Sequence, residues 1–570
     1  MSKLRFTVLT LVTVATLSTS GCVNSRPPSI GVNQHITPPS APVATRPPIP
    51  CDVRFVDVAA ADGIRYKWTI AGKSPHNILD TIGNGCAFVD YDNSGNPGVL
   101  LVGAHVALYG GDGHGHFVDV SHAMGLDSLH GHFLGCAVGD YDNDGFDDLY
   151  LTGYHTGALL HNEHGKGFID VSKRMGLGPH SWSTSAAFVD VDRDGYLDLY
   201  VADYVKFEPG DRQVCMDGKV AISCGPHYYK PIRGILYRNA GGKRFDTSAP
   251  GWDKVQQAGD GLGVAVADFD GSGRPGIAVA NDELMTDLYR NSVDSKSMAP
   301  LTDVGVASGV FADKNGHVHA AMGIDWGDYD NDGRQDLFVT TYENETKCLY
   351  HNDGGGVFSE HSAEAGIEKT TLPYLSFGCK FLDADNDGWL DILIASGHVA
   401  DTIAQVDSRK SYRQPTKFFH NRADGASYAF DDASGVSGVE ALPAVVGRGL
   451  AVGDFDNDGL IDSLVVDSEG APLLLHNVTK TSNHWLGLGL HGSGRSNRDA
   501  YGAVATVTLT DGHTLTRECE TAGSYMSSSD KRVLFGLGTQ KVKSISVKWP
   551  DGKVETKTAL DIDRYIDWTE

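Results

Sequence analysis

Carboxylates recur along the chain at a spacing that makes ligand shells. Five stretches share the order Asp-x-Asp-x-Asp-Gly-x-x-Asp. Their acids are Asp140, Asp142, Asp144 and Asp148; Asp190, Asp192, Asp194 and Asp198; Asp328, Asp330, Asp332 and Asp336; Asp383, Asp385, Asp387 and Asp391; and Asp454, Asp456, Asp458 and Asp462. Acids at positions 1, 3 and 5 of a tight loop point to one centre, and Gly at position 6 permits the sharp turn. The backbone carbonyl of position 7 (Phe146, Tyr196, Arg334, Trp389 or Leu460) adds a neutral oxygen, and the Asp at position 9 closes the shell. Such a flexible, multiply charged, oxygen-only shell suits calcium better than a transition metal. Two degenerate copies, Asp90, Asp92, Ser94 and Asp268, Asp270, Ser272, have Ser at position 5 and Gly at position 9. The expectation is about five calcium sites and at most seven. A single such stretch can also be a solvated acidic turn; five in one register are not.

The elements that position these acids are strands. An EF-hand would need Glu at position 12 between helices. Position 12 is Leu151, Val201, Val339, Ile394 and Val465 in the intact copies, inside apolar or alternating runs such as Leu149-Tyr-Leu151. Each loop therefore joins two strands. The loops start at 90, 140, 190, 268, 328, 383 and 454, so they recur every 50 to 78 residues. A second element follows most of them, a strand ending in Asn and then a Phe strand: Leu159 to Asn162 with Phe168, Leu236 to Asn239 with Phe245, Leu349 to Asn352 with Phe358. Phe55-Val-Asp-Val58 has this form but precedes the first loop, whereas Leu473 to Asn477 lacks a following Phe strand. Ring closure explains both, with the Phe55 strand completing the last repeat and removing an exposed edge. The fold expected is all-β: a seven-bladed β-propeller over 51–478, then a small C-terminal β domain over 479–570. In that tail, Ala503 to Leu509 and Ile545 to Trp549 read as strands broken by Asp511-Gly512 and Asp551-Gly552 turns.

The 570 residues carry 47 Lys and Arg against 73 Asp and Glu, a formal charge of −26. That balance argues against nucleic acid and against broad contact with anionic lipid, both of which need clustered Lys and Arg. The loops hold four acids in each intact copy and two in each degenerate one, 24 of the 73. A third of the acidity thus reads as ligand rather than as solvated surface.

Residues 1–21 read as a secretory signal: Lys3 and Arg5, then the apolar run Phe6 to Leu17, too short to span a bilayer. Thr19-Ser20-Gly21-Cys22 resembles a bacterial lipobox, which makes Cys22 the expected lipidation site and the only link to a membrane. Residues 22–50, with eight Pro, read as an extended tether. The expected location is the cell envelope, on the periplasmic face or the cell surface. Eight Cys remain in an exported chain, and Cys215 and Cys224, nine apart in a turn-rich stretch, are the expected disulfide.

The Asp loops resemble FG-GAP/VCBS repeats. Val279-Ala-Asn-Asp-Glu283, Cys224-Gly-Pro226 and Ser396-Gly-His-Val399 resemble signatures of the cartilage acidic protein family. Asn483-His-Trp-Leu486, Ser496-Asn-Arg498, Gly502-Ala503, Phe535-Gly-Leu-Gly538 and Trp549-Pro-Asp-Gly552 resemble that family's ASPIC/UnbV domain. The resemblance spans 51–570 and implies a seven-bladed propeller with calcium in its blade loops, but no defined reaction.

Candidates for catalysis are His398 and the Asn281-Asp282-Glu283 run, with a scattered acid/base set at the ring centre as a further possibility. His114/His116 and His317/His319, at i, i+2, would face one side of a strand and suit a metal; as loop residues they are solvated. No GxSxG elbow, HExxH or phosphate loop occurs. Two functions stay open. One is a cell-surface binding scaffold for a protein or carbohydrate ligand. The other is a metal-dependent lyase or hydrolase acting on carbohydrate or a related exported substrate.

Overall fold

A computed structural model describes residues 51–570 apart from 104, 209, 212, 248–258, 293–300 and 424–429. The signal segment, the tether and Cys22 lie outside the described residues. Seven antiparallel four-strand units follow one another along the chain, and each is called a blade; the sheet of the first is extended to six strands by a hairpin from the tail. Blade 1 begins at Cys86–Val89, blade 2 at His132–Gly139, blade 3 at Ser183–Val189, blade 4 at Gly261–Ala267, blade 5 at Ala321–Gly327, blade 6 at Ser376–Leu382 and blade 7 at Gly447–Gly453. These first strands pack in sequence order, and that of blade 7 meets that of blade 1. The result is a closed β-propeller. Its closure joins the two ends of the ring, with Phe55 opposite Asn477 and Phe55–Asp57 as the outer strand of blade 7.

The recurring sequence elements acquire separate jobs. First and second strands are buried on both faces, so they read as nearly continuous small and branched apolar residues. The recurrent Phe is the one buried residue of a short outer strand, as in Phe117–Asp119 and Phe168–Asp170. Cys86, Cys136 and Cys379 are buried thiols in the first strands. The two longest repeat spacings come from insertions between second and third strands, 204–234 in blade 3 and 397–416 in blade 6. The first contains the hairpin Cys215–Asp217/Val220–Ile222, and Cys215 is disulfide-bonded to Cys224.

The tail folds into a four-stranded sheet in the order 514–518, 504–509, 542–548, 554–558, and a three-stranded one in which His484–His491 lies between Val533–Gly538 and Tyr565–Thr569. Alternation in Val504–Leu509 buries Ala505, Val507 and Leu509 against Ile545, Val547 and Trp549.

Candidate metal centres

Each acidic loop joins the first strand of its blade to the second, so all seven gather on one face of the ring. Asn143, Arg193, Asn331, Asn386 and Asn457, at position 4 of the intact loops, hold the left-handed conformation, as do the position-6 glycines. The hydrogen bonds distinguish carboxylates that the sequence treats alike. The position-1 Asp accepts the position-5 and position-6 N–H groups, for example Asp190 from Asp194 at 3.1 Å and from Gly195 at 3.0 Å. The position-9 Asp accepts the position-2 N–H and the backbone N–H of the third-strand Asn, as Asp198 does from Val191 at 3.0 Å and Asn239 at 2.8 Å. The position-3 Asp is different. The Oδ1 atoms of Asp142, Asp192, Asp385 and Asp456 are buried and have no hydrogen-bond partner.

That orphaned oxygen is the test of fit. A buried carboxylate oxygen without a donor is costly unless a cation faces it, and here it belongs to a cluster that could hold one: Asp140, Asp142 and Asp144 in one loop, Asp190, Asp192 and Asp194 in the next. Burial drives the loop acids upward, Asp190, Asp328 and Asp454 to about 7 and Asp383 to about 8. Asp140 is pushed to about 9 by burial and by Asp499 of the tail domain. The donors are all oxygen and fit a hard divalent ion.

The third strands add a basic residue that spacing did not reveal. His161, Arg238, Arg290, His351, His420 and His476 stand in equivalent places, one before the recurring Asn. His351 Nε2 and His476 Nε2 each lie 3.1 Å from the outer oxygen Oδ2 of the position-3 Asp, and Arg238 Nε lies 2.6 Å from that of Asp192. At Asp192 and Asp456 they occupy Oδ2 and leave Oδ1 without a donor. Donating to Asp148 raises His161 to about 8, and donating to Asp330 raises His351 to about 9.

The loops are also tied to one another. Side-chain amides of Asn93, Asn143, Asn331 and Asn386 donate to the position-6 carbonyl of the following blade, at 2.6 to 3.1 Å, and Asn457 closes the circle on Gly95 at 3.3 Å. The third-strand Asn reaches the other way: Asn239 Nδ2 donates to the Tyr141 carbonyl of the preceding loop at 2.7 Å. The signal for both ties was present as a repeated Asn.

Parts of the chain match known protein families. A profile described as an FG-GAP-like repeat matches 140–201 and 328–394, and one described as ASPIC and UnbV matches 492–570. The chain carries FG-GAP-like repeats and an ASPIC/UnbV domain. It is 26% identical over 353 residues to cartilage acidic protein 1 of Mus musculus, covering 52% of this chain and 53% of that protein. The Homo sapiens protein of the same name is 26% identical over 352 residues, covering 52% and 51%. The chain thus spans about half the length of the curated relatives it matches. Among solved structures, a Burkholderia pseudomallei lectin, BP39L, aligns with TM-score 0.40 at 9% identity, over 69% of this chain and 95% of its own. An Agrocybe aegerita lectin that recognises non-reducing terminal N-acetylglucosamine aligns with TM-score 0.36 at 18% identity, over 60% and 77%.

The ASPIC/UnbV domain rests on the acidic-loop face of the FG-GAP ring. Asp140 N–H donates to Asp499 at 2.6 Å, Tyr565 hydroxyl donates to Asp454 at 2.8 Å, and Asn483 amide donates to the Asp385 carbonyl at 2.9 Å. Lys531 bridges Asp499 to Asp147. At the degenerate loop, Lys548 Nζ lies 3.7 Å from Asp268 Oδ2, so an ammonium supplies some of the charge that missing carboxylates leave unneeded from an ion.

From this domain a short hairpin, Ala522–Gly523 and Ser527–Ser528, enters the ring. Ser528 pairs parallel with Ala87 of blade 1, Met526 accepts from Cys136 of blade 2 and donates to Ser185 of blade 3, and Ser524 exchanges hydrogen bonds with Ile324 of blade 5. Tyr525 and Met526 are fully buried among Leu134, Leu262, Met322 and Phe377. A Cβ on Gly85 would collide with the Met526 carbonyl, so this glycine just before the first strand of blade 1 makes room for the hairpin.

Tyr525 and Met526 thus fill the part of the centre that the first strands surround. His398 is enclosed rather than open to solvent. It is 1% exposed, its Nδ1 accepts the Ala400 N–H at 2.9 Å, and its Nε2 lies 3.5 Å from Glu343, which is itself paired with Lys410. The His pairs do not lie on strands. His114 and His116 belong to a turn whose N–H groups bind Asp112, and His317 and His319 both approach Asp313, in a loop. Asp282 and Glu283 form the turn after the second strand of blade 4, on the face away from the acidic loops.

Proposed function

We propose that the chain is a calcium-dependent binding scaffold, exported and held at the cell envelope through Cys22, with a protein or carbohydrate ligand. The observation that supports calcium is the unpartnered position-3 oxygen repeated in four intact loops. Positions 1, 3, 5 and 9 and the carbonyl of position 7 would hold the ion, which supplies charge neutralisation and stiffens the loop. The same loops carry the ASPIC/UnbV domain, so calcium would govern how the two surfaces are presented together. The filled centre and the buried His398 favour binding over catalysis.

Equilibrium dialysis followed by metal analysis should find about five calcium ions per chain. Capture on glycan and protein arrays should be lost after chelation and restored by calcium, and the array that responds distinguishes the two ligand classes. A melting curve unchanged by metal removal would refute the calcium reading. Substrate turnover by the calcium-loaded chain would replace the scaffold with the enzyme.

A further inference from the structure

The face of the ring away from the acidic loops holds a pair of buried acids outside the blade loops. Gly261 pairs with Asn281 at the end of the first hairpin of blade 4. The next position outward sets Asp260 opposite Asp282, whose N–H donates to the Asp260 carbonyl at 2.9 Å. Residues directly opposite carry their side chains on one face, with Cβ atoms about 5 Å apart, and like charges there repel. Both are buried, Asp260 to 4% exposure and Asp282 to 7%. Asp282 accepts from the Tyr204 hydroxyl at 2.6 Å. Asp260 Oδ1 is enclosed without any partner. Among the described residues, no basic side chain pairs with either; the charged group that bears on both is another acid, Glu283.

Glu283 stands at the exposed rim of this pair in the left-handed conformation, φ 59°. Its Oε2 lies 2.7 Å from Nδ1 of His227, which is itself exposed. His227 comes from the blade 3 insertion, three residues after the Cys224 that the disulfide fixes. Gly225 lets the insertion approach closely: a Cβ there would sit 3.0 Å from Glu283 Oε1. The insertion is braced from blade 6, where Thr402 hydroxyl donates to the Ala221 carbonyl at 2.8 Å. Two stretches far apart in sequence, Cys224-Gly-Pro226 and Val279 to Glu283, are thereby brought to one mouth of the ring.

We propose that Asp260, Asp282, Glu283 and His227 form a site for one first-row divalent cation, separate from the blade loops and entered past Glu283 and His227. Two buried carboxylates facing each other are held either by a proton or by a cation, and the unpartnered Asp260 Oδ1 beside the exposed Glu283 and His227 leaves room for a cation. Three carboxylates with one imidazole suit manganese, whereas the all-oxygen blade loops suit calcium. The site lies on the opposite face of the ring from the loops and does not depend on their occupancy.

The test uses the full chain with its loops saturated by millimolar calcium, and Mn²⁺ as the probe. Free Mn²⁺ is followed by its electron paramagnetic resonance signal, and bound metal is counted after gel filtration. One Mn²⁺ per chain should be retained in the presence of calcium. Glu283→Gln and His227→Ala, both on exposed positions that leave the core intact, should each weaken retention at least tenfold, with the calcium count unchanged. Asp282→Asn should abolish it while keeping the Tyr204 contact. Failure to retain Mn²⁺ over calcium, or retention indifferent to Glu283→Gln and His227→Ala, overturns the proposal. A normal Mn²⁺ count with no calcium in the loops would refute the blade reading alone.

Discussion

Tyr525→Ala is the sharpest test of the hairpin that enters the ring. The side chain is fully buried, its hydroxyl donates to the Ile82 carbonyl at 2.8 Å, and its ring meets Phe377 edge-on at 5.0 Å between centroids. Removing a large buried aromatic costs about 3–5 kcal/mol. Tyr525→Phe keeps the ring and loses only the hydrogen bond, about 1–2 kcal/mol with the Ile82 carbonyl left buried. Unfolding entropy of about 2.1 cal/mol/K per residue over roughly 500 residues makes 1 kcal/mol worth about 1 °C. The alanine variant should therefore melt about 3–5 °C lower and the phenylalanine variant about 1–2 °C lower. Calorimetry on the calcium-loaded chain reads both. An independent check is peroxide footprinting by mass spectrometry. Met526 should resist oxidation while Met216 and Met285, 59% and 49% exposed, react. Equal melting of wild type and Tyr525→Ala, or Met526 oxidised as fast as Met216, would show that the hairpin is not seated in the ring.

Other outcomes follow from the loops. Calcium at a hundredfold above its dissociation constant should stabilise the fold by about 2.7 kcal/mol per site that is lost on unfolding, read as a melting temperature that rises with calcium concentration. In the metal-free chain, Asp190 and Asp454 titrate near 7 and Asp383 near 8, above their unfolded values because of burial. Their protonation therefore stabilises the fold fully below pH about 4, and this contribution is lost as pH rises through 7 to 8. The metal-free melting temperature should accordingly fall between pH 5 and 8, and saturating calcium should remove or reverse that slope. Asn386→Ala breaks a loop-to-loop bond of 2.9 Å to Gly459 and replaces Asn, which tolerates the left-handed φ of 59°, by a residue that tolerates it less well, together about 2 kcal/mol by denaturant melts. Asn386→Gly loses only the bond and should cost about half as much.

The local chemistry was legible in the sequence because it is local. Spacing within nine residues sets which carboxylates share a loop, and the repeat of that spacing implies blades, since a four-stranded sheet with two apolar faces needs neighbours. The Phe55 strand announced ring closure for the same reason: an outer strand without its blade at one end and a blade without its outer strand at the other. The jobs of the individual acids were not legible. Positions 1, 3 and 9 are all Asp, and only the backbone N–H groups that converge on positions 1 and 9 single out position 3 as the oxygen left for an ion. The recurring Asn and the His or Arg before it were visible as a pattern but acquire meaning through partners on neighbouring blades. The filled centre had no signature in the sequence, because the Tyr525 hairpin belongs to the tail domain and meets the first strands of the ring from hundreds of residues away. The pairing of Asp260 with Asp282, and of Glu283 with His227 from a separate insertion, likewise depends on contacts that ring closure and the blade 3 insertion create. The sequence by itself determined the acidic loops, the strands and the ring. Only the tertiary structure decided which oxygens are free, which face is covered and what fills the middle, because burial and hydrogen-bond competition are properties of the assembled neighbours.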